Sequence, residues 1–592
     1  MICLLFGLCC AGCGKKTDNH VTVSLWEYRL VGEYSDYVQS LVPEADIEWC
    51  VGKNDLDFYS YRQEHGDLPD IITNRRFSLL DAYELRDHLL DLSETELAAS
   101  YHTIYLDKYM NEDGSVNWLP APGVFDGIIA NTALFEKYDI PLPVDYDSFV
   151  SACLAFEALG IRGYVTDYDY DYTCMETLQG FSIEALSSLE GKTWRHEYEN
   201  KLNPGLDDII WPGVFERMEK LLDANIIKAE EAAWDYYNVN EVFVNGQAAM
   251  IRGTGAIAAE CIQRDGMEVA ALPYFGSSAQ ENWALTYPVF QAAVSMDAAG
   301  DEAHKALTLK VLDAMMSEGA QNILNENSGA QISYNKDISL PLPEEMSRMQ
   351  PLIDQNHIYI RIASNEFFAA SMEVLPKMIS GTYDAQQAYA AFNEYLSMPR
   401  TKADSVAITF EESYGAHWDA DRGNAAASSI ANTLRSQLKT DVFMMPYYVV
   451  NCGIYAGDQT DVQMLYPVQT YSVISGTMTG RQLTDFLTAM VEVAPAPAQL
   501  PVVSGMTLHV KTVADRFHLD KITVDGAEIS MDDIYTFGYT NKQGLAMEAI
   551  KAHVEEDTDA VLLEGVTSTS LWKNGLTDGQ QPLAPSEYID LK

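Results

Sequence analysis

Between residues 21 and 396, short apolar runs alternate with amphipathic stretches, and this interleaving does more than any other feature to restrict the folds open to the chain. VTVSLW (21–26) alternates apolar and polar side chains at period two, the spacing of a strand. HKALTLKVLDAMMS (304–317) repeats apolar residues at helical spacing. Strands and helices interleaved over such a length predict an α/β architecture. SMPRTKAD (397–404) follows a helical pattern at 385–396 and sets Pro beside basic residues, which marks a linker. Beyond it the sequence predicts a helix over 425–438, strands at 448–451 and 507–510, and a turn at Asp525-Gly526, a smaller α+β unit. The expected division is 1–19 signal and anchor, 20–396 first domain, 397–404 linker and 405–592 second domain.

The 592 residues exceed one ordinary core, and 47% apolar with 21% charged residues is a soluble, globular composition. With 38 Lys and Arg against 87 Asp and Glu, the net charge of −49 argues against nucleic acid and anionic lipid headgroups as partners. A neutral or cationic solute is not repelled. At the start, the apolar run 2–10 reads as an export signal, too short to span a bilayer, and no later run has spanning length. Ala11-Gly12-Cys13 resembles a bacterial lipobox, with Cys10 where that pattern has Leu. The resemblance implies a lipid on Cys13 and a place on the extracellular face of the cytoplasmic membrane. The other cysteines, Cys50, Cys153, Cys174, Cys261 and Cys452, are odd in number and form no CxxC pair, so neither a disulfide framework nor a metal site is expected.

Several stretches of the first domain, in order, carry a family resemblance. They are the strand ending at Trp26, DLPDI (67–71), DGSVNWLPAPGVFDGIIANTALFEKYDIPLPVDYDSFVSAC (113–153), FVNGQAAMIRGTGA (243–256) and EVAALPYFG (268–276). Together they resemble the carbohydrate-type extracellular solute-binding proteins of ABC importers. The resemblance implies a two-lobed, periplasmic-binding-protein-like α/β fold whose chain crosses a hinge two or three times, with a solute between the lobes and permease subunits as partners. Ligands of open α/β sheets sit at the carboxyl ends of strands. The expected binding residues are therefore Trp26, Tyr28 and Arg29 after the first strand, Trp118, Asp126 in the crossover strand, Trp234, Thr254, Trp283 and Tyr287. With 34 Tyr and 9 Trp, aromatic faces suit sugar rings, so the expected solute is an oligosaccharide. WDYYNVNE (234–241) either faces the cleft or flanks a helix beginning near Asn240. DYDYDYTC (167–174) spaces acids as a calcium loop does, but Tyr172 and Leu178 stand where that loop needs Gly and Glu, so it reads as a loop bordering the cleft.

In the second domain, RGNAAASSIANTLR (422–435), AGDQTDVQMLYPVQ (456–469), SGTMTGRQLTDFL (475–487), VSGMTLHV (503–510) and VDGAEISMDDIYTFGYTN (524–541) resemble, in series, the C-terminal domain of 5′-nucleotidases. In that family the domain grips a nucleoside with a Gly-rich, Arg-bearing loop and two stacking aromatics. Here PYYVVN (446–451) takes the loop's place, Val468 stands at the first stacking position and NKQGLAME (541–548) replaces the aromatic ending. Tyr447, Tyr448 and Asn451 are the remaining candidates for that cleft, without an Arg to hold an anion. None of the 11 His lies in an Asp-x-His or Gly-Asn-His-Asp motif, and His417 with Asp419 and Asp421 is the nearest approach to a two-metal site. No GxSxG, P-loop or strand-to-helix GxGxxG occurs. The expectation is a receptor that is not an enzyme and needs no cofactor, its second domain a degenerate docking module. The alternative is a nucleotide-binding component of a 5′-nucleotidase-type hydrolase whose metal domain lies on another chain.

Overall fold

The computed structural model describes residues 19–26, 32–168, 172–398, 405–419, 423–494, 496–514, 516–542, 549–551 and 559–592. The strands of its first part are β1 (His20–Leu25), β2 (Asp46–Val51), β3 (Ile71–Asn74), β4 (Trp118–Pro120), β5 (Gly123–Asn131), β6 (Met250–Thr254), β7 (Val269–Leu272), β8 (Ala284–Pro288), β9 (Gln291–Val294) and β10 (Ile358–Ile360). They form two sheets, one ordered β2-β1-β3-β9-β4 and one ordered β10-β8-β5-β6 with β7 also on β5. In the first, β1 runs parallel to β2 and β3, and β9 runs antiparallel to β3 and β4.

The period-two pattern of β1 suggests one face in solvent, yet Thr22 and Ser24 are as buried as Val21 and Val23. A mostly parallel sheet is covered on both faces, and the polar side chains are satisfied inside. The Thr22 hydroxyl donates to Asp70 Oδ2 at 2.8 Å, and Ser24 Oγ lies 3.2 Å from the Tyr59 hydroxyl. Asp70 in turn holds His304 at 3.0 Å, which ties the helix Glu302–Met315 to the sheet.

Two short segments join the sheets. Ala121 and Pro122 lead from β4 to β5, and Val289 and Phe290 lead from β8 back to β9. They are hydrogen-bonded to each other, Ala121 N to Phe290 O at 2.9 Å and Val289 N to Pro122 O at 3.0 Å. A third passage, at Ile332, exchanges both backbone bonds with Gly123. So few connecting residues concentrate any relative motion of the lobes in their backbone angles. One apolar cluster gathers Val23, Leu25, Phe58, Trp118 and Phe290. A second, on the far sheet, gathers Phe149, Phe181, Trp194, Trp211, Phe367 and Phe392.

Residues beyond 405 build β11 (Val406–Phe410), β12 (Trp418–Asp419), β13 (Gly423–Asn424), β14 (Val442–Met445), β15 (Gly457–Thr460), β16 (Ser472–Thr479), β17 (Val502–Ser504), β18 (Thr507–Val513), β19 (Arg516–Val524), β20 (Ala527–Glu528), β21 (Ile534–Asn541), β22 (Val561–Thr567) and β23 (Ile589–Leu591). The larger sheets are β17-β14-β21-β16-β22 and β20-β19-β18-β23, around a third apolar cluster that includes Ile430, Phe443, Leu487 and Trp572. The helix Ala425–Leu438 forms where the sequence predicts it, its first turn capped by Asn424 Oδ1 accepting from Ala427 N. Asp525 and Gly526 turn β19 into β20 with φ of 51° and 79°, backbone that Asp tolerates and Gly adopts freely. The strand expected at 448–451 is absent, because Pro446 has no N–H to extend β14 and Tyr447–Val449 instead coils as a 3-10 turn.

This C-terminal region rests on the first lobe. Tyr61 donates to Gln459 Oε1 at 2.7 Å, His65 stacks on Tyr455 at 4.4 Å, and Tyr466 packs edge-on against Phe58 at 5.5 Å. Asp67 receives Arg62 at 3.0 Å, His417 at 3.0 Å and the Tyr455 hydroxyl. Among the described residues no helix is long and apolar enough to cross a membrane. The expected export signal, Cys13 and most of the linker lie outside the described residues.

Candidate ligand-binding cleft

A cavity of about 520 Å³ opens where strand ends of the two sheets meet. Arg75 follows β3, Thr254 ends β6, Tyr287 lies in β8 just before the crossover, and Arg361 follows β10. The helix Thr173–Gly180, preceded by Asp167 and Tyr172, supplies Glu176. The first turn of the helix Tyr236–Val244 supplies Tyr236 and Tyr237 at the mouth, under its cap Asp235, which accepts from Asn238 N at 2.9 Å.

Guanidinium and aromatic groups interleave along the wall. Arg75 lies 5.1 Å from the Trp26 ring and 4.9 Å from that of Tyr287. Arg361 lies 4.2 Å from Tyr287 and 4.9 Å from Tyr172. Beneath them runs a buried chain of opposite charges, in which Arg252 bridges Asp126 and Glu176 and Glu176 reaches on to Arg361. Tyr274 closes this network by donating to Asp126 Oδ1 at 3.1 Å. Burial pushes the carboxyls of Asp126 and Asp167 upward against the pull of Arg252. Burial also works against Arg252, but the neighbouring acidic groups, Asp126 first and then Asp167, together outweigh it and hold the guanidinium ionised. The Nε atoms of Arg252 and Arg361 remain without partners, so each keeps a donor to offer.

The structure distributes the expected residues unevenly. Thr254 and Tyr287 line the cavity, Trp26 abuts it through Arg75, and Asp126 acts one layer behind it on Arg252. Tyr28 and Arg29 lie outside the described residues. Trp118 is 1% exposed and packs on Phe77 at 5.0 Å in the first lobe's core, so a strand end there does not bring its ring to the cleft. Trp283 stacks flat on His357 at 4.5 Å, and Trp234 lies 5.8 Å from Arg162, neither of them at the cavity wall. The helix expected near Asn240 begins earlier, at Tyr236, because Asp235 and Asn238 form a reciprocal cap. Its two tyrosines therefore reach the mouth in place of Trp234. Asp167 and Tyr172, the first and sixth residues of DYDYDYTC, line the cavity, and 169–171 lie outside the described residues.

Sequence reasoning missed Arg75, Arg361, Arg252 and Glu176. The available signal was charged residues directly after apolar strand runs, IITNR at 71–75 and IYIR at 358–361. In the C-terminal region Tyr447 and Asn451 border a small cavity of about 50 Å³ shared with Glu48, Arg62 and His417 of the contact with the first lobe. Tyr448 donates to Asn541 Oδ1 at 2.8 Å, and the Asn451 amide donates to Tyr466 O at 3.0 Å. Among the described residues no group of three or more His, Cys, Asp or Glu is placed to hold a metal.

No family model matches the sequence, and no curated protein matches it significantly. Solved structures do match in fold. A family 1 extracellular solute-binding protein from Bifidobacterium longum subsp. infantis is similar with a TM-score of 0.55 and 16% identity, over 64% of this chain and 98% of that one. RafE from Streptococcus pneumoniae, in its apo form, is similar with a TM-score of 0.52 and 14% identity, over 64% of this chain and 97% of that one. Over that share of its length the chain has the fold of the extracellular solute-binding proteins.

Proposed function

We propose that the chain is a lipid-anchored extracellular receptor that captures a carbohydrate between its two lobes and delivers it to an ABC-type permease. The observation that carries this reading is the cleft itself, where Tyr172, Tyr236, Tyr237 and Tyr287 stand beside fixed donors and acceptors, Arg75, Arg361, Thr254 and Asp167. Sugar rings present apolar faces ringed by hydroxyls, and a wall of aromatic rings between charged hydrogen-bonding groups matches both parts at once. The likeness in fold to a family 1 extracellular solute-binding protein supports the same reading. Cys13 would hold the receptor at the outer face of the membrane. The C-terminal region, in this reading, is a degenerate 5′-nucleotidase-like accessory unit that docks, since Tyr448 and Asn451 are engaged in bonds within the chain.

The test is calorimetric titration of the full chain against sugars, peptides and nucleosides. A saccharide that binds the parent, and binds a Tyr287→Ala variant at least about tenfold more weakly, supports the receptor. A chain that takes up only nucleosides, with affinity insensitive to Tyr287, points the function to the C-terminal region and sinks the reading. Fractionation of cells making Cys13→Ser tests the anchor, the variant being expected in the soluble fraction.

A further inference from the structure

Behind the cleft, sharing Arg75, Tyr287 and Arg361 with it, lies a narrow recess of about 10 Å³, room for one water-sized atom. Lys108 and Arg195 complete its cationic lining, so four basic side chains converge on a space that small. Two of them are balanced inside the protein, Arg195 by Glu199 at 3.1 Å and Arg361 by Glu176. Arg75 and Lys108 form no ion pair among the described residues. This happens in a chain whose acids outnumber its bases 87 to 38, where an unpaired base has a surplus of carboxylates available to it.

We propose that the solute is an acidic saccharide, bound with its anionic group at the junction of cleft and recess, between Arg75, Lys108 and Arg361. The proposal rests on the receptor reading above and names its substrate class. A half-buried cation without a counter-ion costs free energy that a bound anion returns, and Arg75 and Arg361 face the site with planar donors that suit a carboxylate or sulfate. The Nε of Arg361, 5% exposed, has no partner. Lys108 agrees with this picture, for burial, and then Arg195, push its ammonium down to about 7, and an anion alongside would restore its charge. The overall charge of −49 does not forbid an anionic solute, since salt screens distant surface charges beyond about 10 Å while the cations at the junction act at contact.

The experiment titrates the full chain with matched saccharides that differ only in charge. These are oligogalacturonides against their methyl esters, xylotriose with and without a glucuronic acid branch, and lactose with and without a sulfate ester. The carboxylate and sulfate arms identify which anion the junction takes. An acidic member binding at least about tenfold more tightly than its neutral partner is the expected result, with the difference abolished in Arg75→Met and Lys108→Met and retained in Arg75→Lys. Binding of neutral members as tight as that of acidic ones overturns the proposal and leaves the receptor reading standing. Binding of neutral members alone likewise overturns only the proposal, whereas binding of citrate or inorganic phosphate with no saccharide, or no binding by any member, acidic or neutral, at millimolar concentration, overturns both.

Discussion

Tyr287 and Trp118 carry similar rings but do different work, and the difference is burial against position. Tyr287 is 8% exposed at the cavity wall, between Arg75 and Arg361, whereas Trp118 is 1% exposed and packed on Phe77. Removing the Tyr287 ring takes away apolar area that a solute would cover, at a cost of about 1–3 kcal/mol in binding. Calorimetry on Tyr287→Ala is expected to show a tenfold to hundredfold loss of affinity at unchanged fold, on the order set by that energy. Trp118→Ala instead leaves a void in the core and is expected to lower unfolding stability by about 3–5 kcal/mol in urea, with the affinity of the folded protein retained. Glu176 tests the charge network in a similar way. It is 1% exposed and pairs with both Arg252 and Arg361, so Glu176→Gln leaves buried cations short of a partner. The expected loss in urea is about 3–5 kcal/mol, and a second change, Arg361→Met, is expected to recover part of it.

At the scale of elements, periodicity and capping are local, and the sequence displays them. The helix Ala425–Leu438, the strand β1 and the Asp525-Gly526 turn follow from residues adjacent in the chain. The start of the helix Tyr236–Val244 is legible too, since Asp235 and Asn238 stand three apart as a reciprocal cap, a signal independent of the aromatic run around them. The cleft is different, because Arg75, Glu176, Thr254, Tyr287 and Arg361 come from five separate elements and nothing local joins them. Aromatics at strand ends were a fair guide to where the cavity lies and a poor guide to which rings reach it, as Trp118 and Trp283 demonstrate. The cap makes its own prediction. Asp235→Ala removes the acceptor for Asn238 N and is expected to cost about 1 kcal/mol. Hydrogen exchange should become faster in the first turn of Tyr236–Val244 and stay unchanged in β6, and equal acceleration in both would contradict a local role.

For the whole molecule, the contact between the C-terminal region and the first lobe is polar at its centre, which makes the assembly sensitive to pH. His417 lies 3.0 Å from Asp67 and 3.7 Å from Glu48. The hydrogen bond to Asp67, then the one to Glu48, raise its pKa from the ordinary 6.5 to about 9. Glu48, where burial is outweighed by bonds from His20 and His417, is held down at about 2. Asp67 is likewise lowered, burial yielding to the charge of Arg62 and to His417. A raised histidine contributes stability in full below its unfolded pKa and loses it as pH climbs through the folded value. The His417 contribution is therefore complete near pH 6 and fades by pH 9 and above, while the two carboxylates, depressed, contribute from above their ordinary values and fail only in strong acid. Half of the His417 side chain is exposed, so water and salt weaken the effect and it should shrink further at high ionic strength. Melting curves of the full chain between pH 6 and 9.5 are expected to show Tm falling more in the parent than in His417→Gln, whose curve should be flatter and lower at pH 6. Parallel curves for the two proteins would mean that His417 stays equally charged folded and unfolded, and that the docking of the C-terminal region owes nothing to this pair.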